Sequence, residues 1–380
     1  MRFPLKVRMQ PRVFFPAAIL LFFAVVIVAR EHRPSFLRPG LRLNAYVTTA
    51  DGAVTVVDLV KLAAIAHVPV GPGLSGMREH PTRAEVWGVS SQGGYAWVLS
   101  ARTDQITARI PVGPLPFNLD FSANGSEVYV TASGANALMA VDCETHAVVG
   151  HGKTGRNPVI AHVTPDGKQI LVVNHGDATL GIHDPETLEL KATVPVVAQP
   201  EDVTIVPDSS LAFVLSRSER RISVVDLRRA VLLTNLDLAG EPSQMILKPD
   251  GGELYVLSPE AHGLQVINTF THEVGDYVVI GSAPTHGALL PDASGLFVSD
   301  TAAGRVAPVD IVNRKVMRPI PAGQAPAAMA FSPGENPSML LVADQGSGNL
   351  AVLRIRSDVQ NLITMIPVGE RPGDLAVKLF

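Results

Sequence analysis

A strand-like segment, Glu127-Val128-Tyr129-Val130-Thr131, returns along the chain at a nearly constant interval, and that interval constrains the fold more than any other feature. It reappears as Gln169-Ile170-Leu171-Val172-Val173, Leu211-Ala212-Phe213-Val214-Leu215, Glu253-Leu254-Tyr255-Val256-Leu257 and Gly295-Leu296-Phe297-Val298-Ser299. The bulky residue of each copy marks the register: Tyr46, Trp87, Tyr129, Leu171, Phe213, Tyr255, Phe297 and Leu341, spaced by 41, 42, 42, 42, 42, 42 and 44 residues. So strict a period over most of a chain means one supersecondary unit repeated, and neighbouring copies must supply each other's core.

Each unit holds four strand-like segments. After the anchor strand comes an alternating segment ending in Asp, as in Val54-Thr55-Val56-Val57-Asp58 and Ile222-Ser223-Val224-Val225-Asp226. The third segment closes in variants of Ile110-Pro111-Val112-Gly113, and the fourth runs from a proline to a turn such as Pro165-Asp166-Gly167. Short β-branched alternations bounded by Gly, Pro, Asn and Asp are antiparallel strands joined by tight turns. Four of them per ~40 residues form the blade of a β-propeller, which bends its repeats into a ring. The last fourth segment, Pro372 to Lys378, has no anchor strand after it, and the first anchor strand has nothing before it. The expectation is therefore an all-β propeller of eight four-stranded antiparallel blades over residues 44–380, closed by pairing the C-terminal strand with the first blade. Seven blades is the alternative if the irregular second unit, with Trp87 and Trp97, forms no sheet of its own; both tryptophans are read as blade-interface packing.

The first 42 residues are different. Arg2, Lys6, Arg8 and Arg12 precede an apolar run from Val13 to Ala29, broken only by Pro16. This is the pattern of a signal peptide or of an N-terminal membrane anchor over residues 1–29, followed by a linker over 30–43. Either places the rest of the chain outside the cytoplasm, in the periplasm or at the cell surface, and a retained anchor would tether it to the inner membrane. Residues 1–42 hold eight basic side chains and one acidic one, leaving 23 basic against 34 acidic residues of the chain's 31 and 35. An acidic surface repels phosphate backbones and argues against nucleic acid as a partner. The single cysteine, Cys143, allows no intrachain disulfide.

The motif Tyr129-Val130-Thr131, with the segment ending in Asp142 and the Pro-Val-Gly ending of the next, resembles the YVTN-type β-propeller repeat. The resemblance covers about residues 44–380. It implies the fold and an exported or surface-layer setting, but carries no catalytic residues. More remotely, such propellers are similar to lactonase propellers, nitrous-oxide reductase and the eight-bladed haem d1 propellers. The chain lacks the Trp-Asp signature of WD repeats, the paired glycines of kelch blades and the tryptophan docking motifs of quinoprotein dehydrogenases.

Other motifs dissolve on inspection. Gly152-Lys153-Thr154 lacks the upstream glycine of a phosphate loop, since Ala147 stands there. The Asp column at 58, 142, 184, 226 and 310, with Asn268, is read as turn-capping rather than metal-ligating. The informative variation lies where the fourth segment enters the channel. Two places after its proline the column holds Asn118, Asp202, Gln244, His286 and Asp374 among apolar or small residues; four places after, it holds Arg78, Asp120 and His162. These residues are the candidate ligand-binding set at one channel mouth, with the loops holding His175, His262, Asp300 and Asp344 expected beside them. The leading expectation is a non-catalytic module binding a protein or a small polar ligand there, with no cofactor. The alternatives are a lactonase-like metal hydrolase, with a divalent metal on Asp202, His286 and Asp374, or a haem d1-type propeller with His286 or His162 as axial ligand.

Overall fold

The computed structural model describes residues 41–334, 337–356 and 359–380. The signal or anchor segment and nearly all of the linker read from the sequence lie outside these residues.

Every unit folds as its alternation requires. Eight antiparallel sheets follow one another, and in each the fourth segment of one repeat becomes the innermost strand of the next blade. Blade 3, for example, runs outward from Pro116–Phe121 through Glu127–Ala132 and Ala137–Asp142 to Val148–Lys153. The second unit forms a complete sheet of its own from Leu74–Glu79, Glu85–Ser90, Tyr95–Ser100 and Gln105–Pro111, so the count is eight. Blade 1 takes its innermost strand from the far end of the chain: Leu375–Leu379 pairs antiparallel with Leu43–Thr48, joining Val47 to Leu375 and Tyr46 to Ala376. Neighbouring innermost strands touch all the way round, and the ring closes.

The core is a set of eight seams. One cluster packs Tyr46, Val54 and Val56 of blade 1 against Val86, Trp97 and Leu99 of blade 2. Another sets Trp87, Val89 and Val98 of blade 2 against Val128 and Val130 of blade 3. The closing seam joins Ala45, Val47 and Val57 to Leu341, Leu350 and Val352 of blade 8. Both tryptophans are fully buried, as interface packing requires. Gly88 faces Trp97 across its sheet, and a Cβ there would lie 2.3 Å from the indole, so the wide ring at 97 needs the missing side chain at 88.

The motif residues are structural. Asp142 accepts the backbone N–H groups of Glu144 (3.0 Å) and Thr145 (2.7 Å), and Asp58, Asp184, Asp310 and Asn268 cap their own turns in the same way. The glycine ending the third motif makes room for the next blade: Gly323 adopts φ +112°, and a Cβ on it would collide with the Asp344 carboxylate. Asp344 is fully buried and accepts N–H bonds from Gln324, Ala325 and Gly346. Asp300 does the same for Ser282 and Ala283 and pairs with Arg305 (3.1 Å). Burial pushes both carboxyls up, but these donors outweigh it and hold them below the usual range. Both therefore clamp blade connections rather than present carboxylates to a ligand.

One blade departs from the pattern. The outermost strand of blade 7 is split into Lys315–Val316 and Ile320–Pro321, both paired with Arg305–Asp310. Pro308 sits in that neighbour opposite the gap and offers no N–H to the ladder, while its carbonyl still accepts from Met317 (2.8 Å).

Candidate functional site

The innermost strand of each blade is paired on one side only, and its other edge faces the channel with backbone groups still to satisfy. Much of the polarity seen in the sequence columns meets that need. The Gln244 Oε1 accepts the N–H of Gly287 on the next blade (2.7 Å), Asp120 accepts that of Val163 (3.1 Å), and Asp374 accepts that of Met77 (3.2 Å). Each side chain reaches forward by one blade, so three neighbouring pairs of inner strands are stitched together.

Asp120 is the centre of a small network below the mouth. Its carboxylate meets His162 Nδ1 at 3.1 Å and Arg78 at 3.4 Å. Burial works against the charge, but His162, Arg78 and the Val163 N–H together hold its carboxyl below the usual range. His162 is thereby committed to Asp120. Asp202 and Asp374 behave oppositely: burial dominates and raises both, against weaker pulls that include backbone N–H groups and Arg78. Among the described residues Asp202 accepts only the Val203 N–H (2.8 Å). A carboxyl raised in the folded state favours folding while protonated, and that advantage is lost as pH rises through its folded value. Asp202→Asn should therefore raise the thermal midpoint at neutral pH, with the gain vanishing near pH ~4, where an ordinary Asp also protonates. Scanning calorimetry of both proteins at the two pH values checks this.

The mouth itself is a cavity of about 760 Å³ where the innermost strands begin and the turns after the anchor strands gather. Of the eight candidates, Asp202, Gln244 and His286 line it; Asn118, Asp374, Asp120, His162 and Arg78 are not among its lining residues. Asp202, His286 and Asp374 are not brought together as a metal site: among the described residues no group of three or more His, Cys, Asp or Glu could hold a metal ion. His286 is held by Thr285 (3.1 Å), and burial, with the charge of Arg217, lowers its pKa and so favours the neutral ring.

The rest of the lining escaped the column argument. Leu115, Phe117, Val159 and Ile160 from blades 3 and 4 form an apolar wall, with Leu115 55% and Phe117 47% exposed. On blade 5, next to it, stand Glu201 and Arg217, paired at 2.8 Å, and Arg217 also donates to the Ser243 carbonyl (2.9 Å). His175 Nδ1 lies 3.1 Å from the Pro200 carbonyl, which can only accept, so Nδ1 carries a proton and any lone pair of the ring is on Nε2. Ser91, Ser133, His175 and Arg217 occupy one column at the 42-residue period, the first position after the anchor strand. His175 is where its loop was expected, and reading that column beside the other two finds Ser91, Ser133 and Arg217 as well.

A family model described as YNCE-like beta-propeller matches residues 95–294, more than half of the chain. The chain belongs to the YNCE-like β-propeller family. No curated protein matches it significantly. Among solved structures, dihydro-heme d1 dehydrogenase NirN in complex with DHE is similar over 90% of this chain and 77% of its own, at 17% identity and a TM-score of 0.75. Hydrazine synthase of Kuenenia stuttgartiensis is similar over 75% of this chain and 96% of its own (17% identity, TM-score 0.60). A functionally unknown protein from Desulfotomaculum acetoxidans follows, at 74% and 96% coverage, 14% identity and a TM-score of 0.57. At such identities the likeness is one of fold.

Proposed function

We propose that this propeller acts outside the cytoplasm as a non-catalytic binding module that takes a small amphipathic ligand in its channel mouth. The observation carrying this reading is the pair Leu115 and Phe117, large apolar side chains left half in solvent where they wall one side of the cavity. An apolar wall facing a few fixed polar groups is the usual make-up of a ligand pocket, and 760 Å³ lies within the ordinary range of such pockets. Apolar groups of the ligand would cover Leu115, Phe117, Val159 and Ile160, while its polar groups meet the Arg217–Glu201 pair, Gln244 and His286. The extracytoplasmic setting is supported by the basic residues and apolar run at the N-terminus.

The test is a fluorescence titration with Nile red, a neutral, planar, polarity-sensitive probe. One saturable site is expected, and Phe117→Glu should weaken it by at least about tenfold, the equivalent of roughly 1.4 kcal/mol. No saturable signal, or one indifferent to Phe117→Glu, would remove the reading.

His175 supports a second reading, a tetrapyrrole in the same cavity. Its Nε2 would hold the metal of such a group better than His162, whose Nδ1 is engaged by Asp120, and Arg217 would meet a carboxylate. The cavity volume and apolar wall fit such a group, and when bound it would supply redox chemistry that the side chains lack. Haemin should then give a shifted Soret band that His175→Ala abolishes; unchanged spectra would discard this version. The lactonase-like version has no three-ligand group among the described residues to support it.

A further inference from the structure

The rim opposite the mouth carries the turns between the third and outermost strands, because anchor strands end at the mouth and the strands after them run away from it. The second turn residue recurs at the 42-residue period. It is charged in blades 2 to 5 (Arg102, Glu144, Glu186 and Arg228), but apolar in blades 1, 6 and 7 (Val60, Phe270 and Val312). These three are 47%, 78% and 80% exposed. Outer strands show exposed apolar residues all round the ring (Ile65, Val149, Leu190 and Val279), so only the turn tips distinguish one sector from another. The tip of blade 8 lies outside the described residues.

The turn tips differ from one side of the ring to the other. In a ring of eight, blades 3 and 4, with Glu144 and Glu186 at their tips, stand opposite blades 7 and 8. Lys61, paired with Asp58 (3.3 Å), and Lys315 are exposed beside the apolar tips of blades 1 and 7, and Asp250 and Asp292 are exposed on the inner turns of blades 6 and 7 on the same rim. Arg314 spans the seam between blades 6 and 7, bonding Asp276 (3.0 Å) and Glu253, which holds the Phe270 and Val312 turns side by side. Two such side chains gain nothing from water.

The chain enters the ring on this same rim. Arg42 exchanges backbone hydrogen bonds with Phe380 (2.8 and 3.0 Å) and donates from Nη1 to the carbonyl of Arg102, the tip of blade 2. Only residues 30–41 separate this point from the apolar run ending at Ala29. Twelve residues reach at most ~43 Å fully extended, which bounds how far a bilayer holding that run can lie from Arg42. We infer that the tips of blades 1, 6 and 7 rest on a lipid surface. Phe270 and Val312 enter the boundary between headgroups and acyl chains, Lys61 and Lys315 meet anionic headgroups, and the mouth is left open to solvent. This rests on the extracytoplasmic reading with the N-terminal run retained.

The experiment uses the full chain in phosphatidylcholine–phosphatidylglycerol vesicles. Cys143 is fully buried, so an environment-sensitive fluorophore can be placed singly at Phe270→Cys, at Val312→Cys, or at Ser218→Cys on a mouth turn. Labels at 270 and 312 should shift to the blue and be quenched by lipid-borne nitroxide, while the label at 218 should behave as in water. Flotation of the unlabelled chain reports the anchor separately. A chain that floats while 270 and 312 remain aqueous, or while 218 is the quenched site, overturns the membrane-facing rim alone. A chain that fails to float overturns the anchor and the rim together.

Discussion

Removing Gly373–Phe380 should abolish the cooperative fold. That segment supplies the whole innermost strand of blade 1, pairing Leu375–Leu379 with Leu43–Thr48 and burying Ala376 and Val377 in two seams. Without it, the strand Leu43–Thr48 becomes an open edge, and apolar residues on both sides of blade 1 face water. Expected results are loss of the thermal transition, exposure of apolar surface to a hydrophobic dye, and aggregation. A truncated chain that melted as sharply as the full one would show that the first blade does not depend on the last strand.

Trp97→Ala should cost about 3–5 kcal/mol, the range for emptying a large aromatic site in a core. Trp97 is fully buried between blades 1 and 2, beneath Gly88, which leaves little to collapse into the space. Its indole N–H is buried without a hydrogen-bond partner among the described residues, so Trp97→Phe loses area but also removes an unmet donor. The phenylalanine variant should therefore retain much more of the stability than the alanine variant. Urea denaturation of the three proteins decides: equal losses for Phe and Ala would contradict the packing described for this seam.

Fold and site were legible to different degrees, for a physical reason. Blade identity is enforced from repeat to repeat by the same few demands: alternation for the strands, Asp142 and its equivalents for most of the turns, and glycine, as at Gly323 beside a buried carboxylate, where most blades join. A demand that recurs along the chain leaves a periodic mark, and the expected closure by the C-terminal strand came from the phase of that mark. The mouth is not repeated. Asp202, Gln244 and His286 stood out because their column is largely polar where the next position along the strand is apolar or small in every unit, and they do line the cavity. Asp120, Asp374 and His162 stood out for the same reason, yet they serve the channel edge and each other rather than the cavity. Sequence polarity could not separate these two uses, because an unpaired strand edge and a ligand ask for the same side chains. Leu115 and Phe117 went unnoticed for the converse reason: in a β-rich chain an apolar residue is unremarkable until its exposure is known.

The mouth exists only if the ring closes as described, and a covalent link across the closure tests this most directly. Val47 and Leu375 are register partners on the first and last strands, and Cys143, the sole native cysteine, is buried. In the double variant Val47→Cys/Leu375→Cys, mild oxidation should join the two thiols in nearly every molecule, shift gel mobility reversibly, and raise the unfolding midpoint. Thiols that stay free, or that link only between molecules, would mean that the two ends of the chain do not meet.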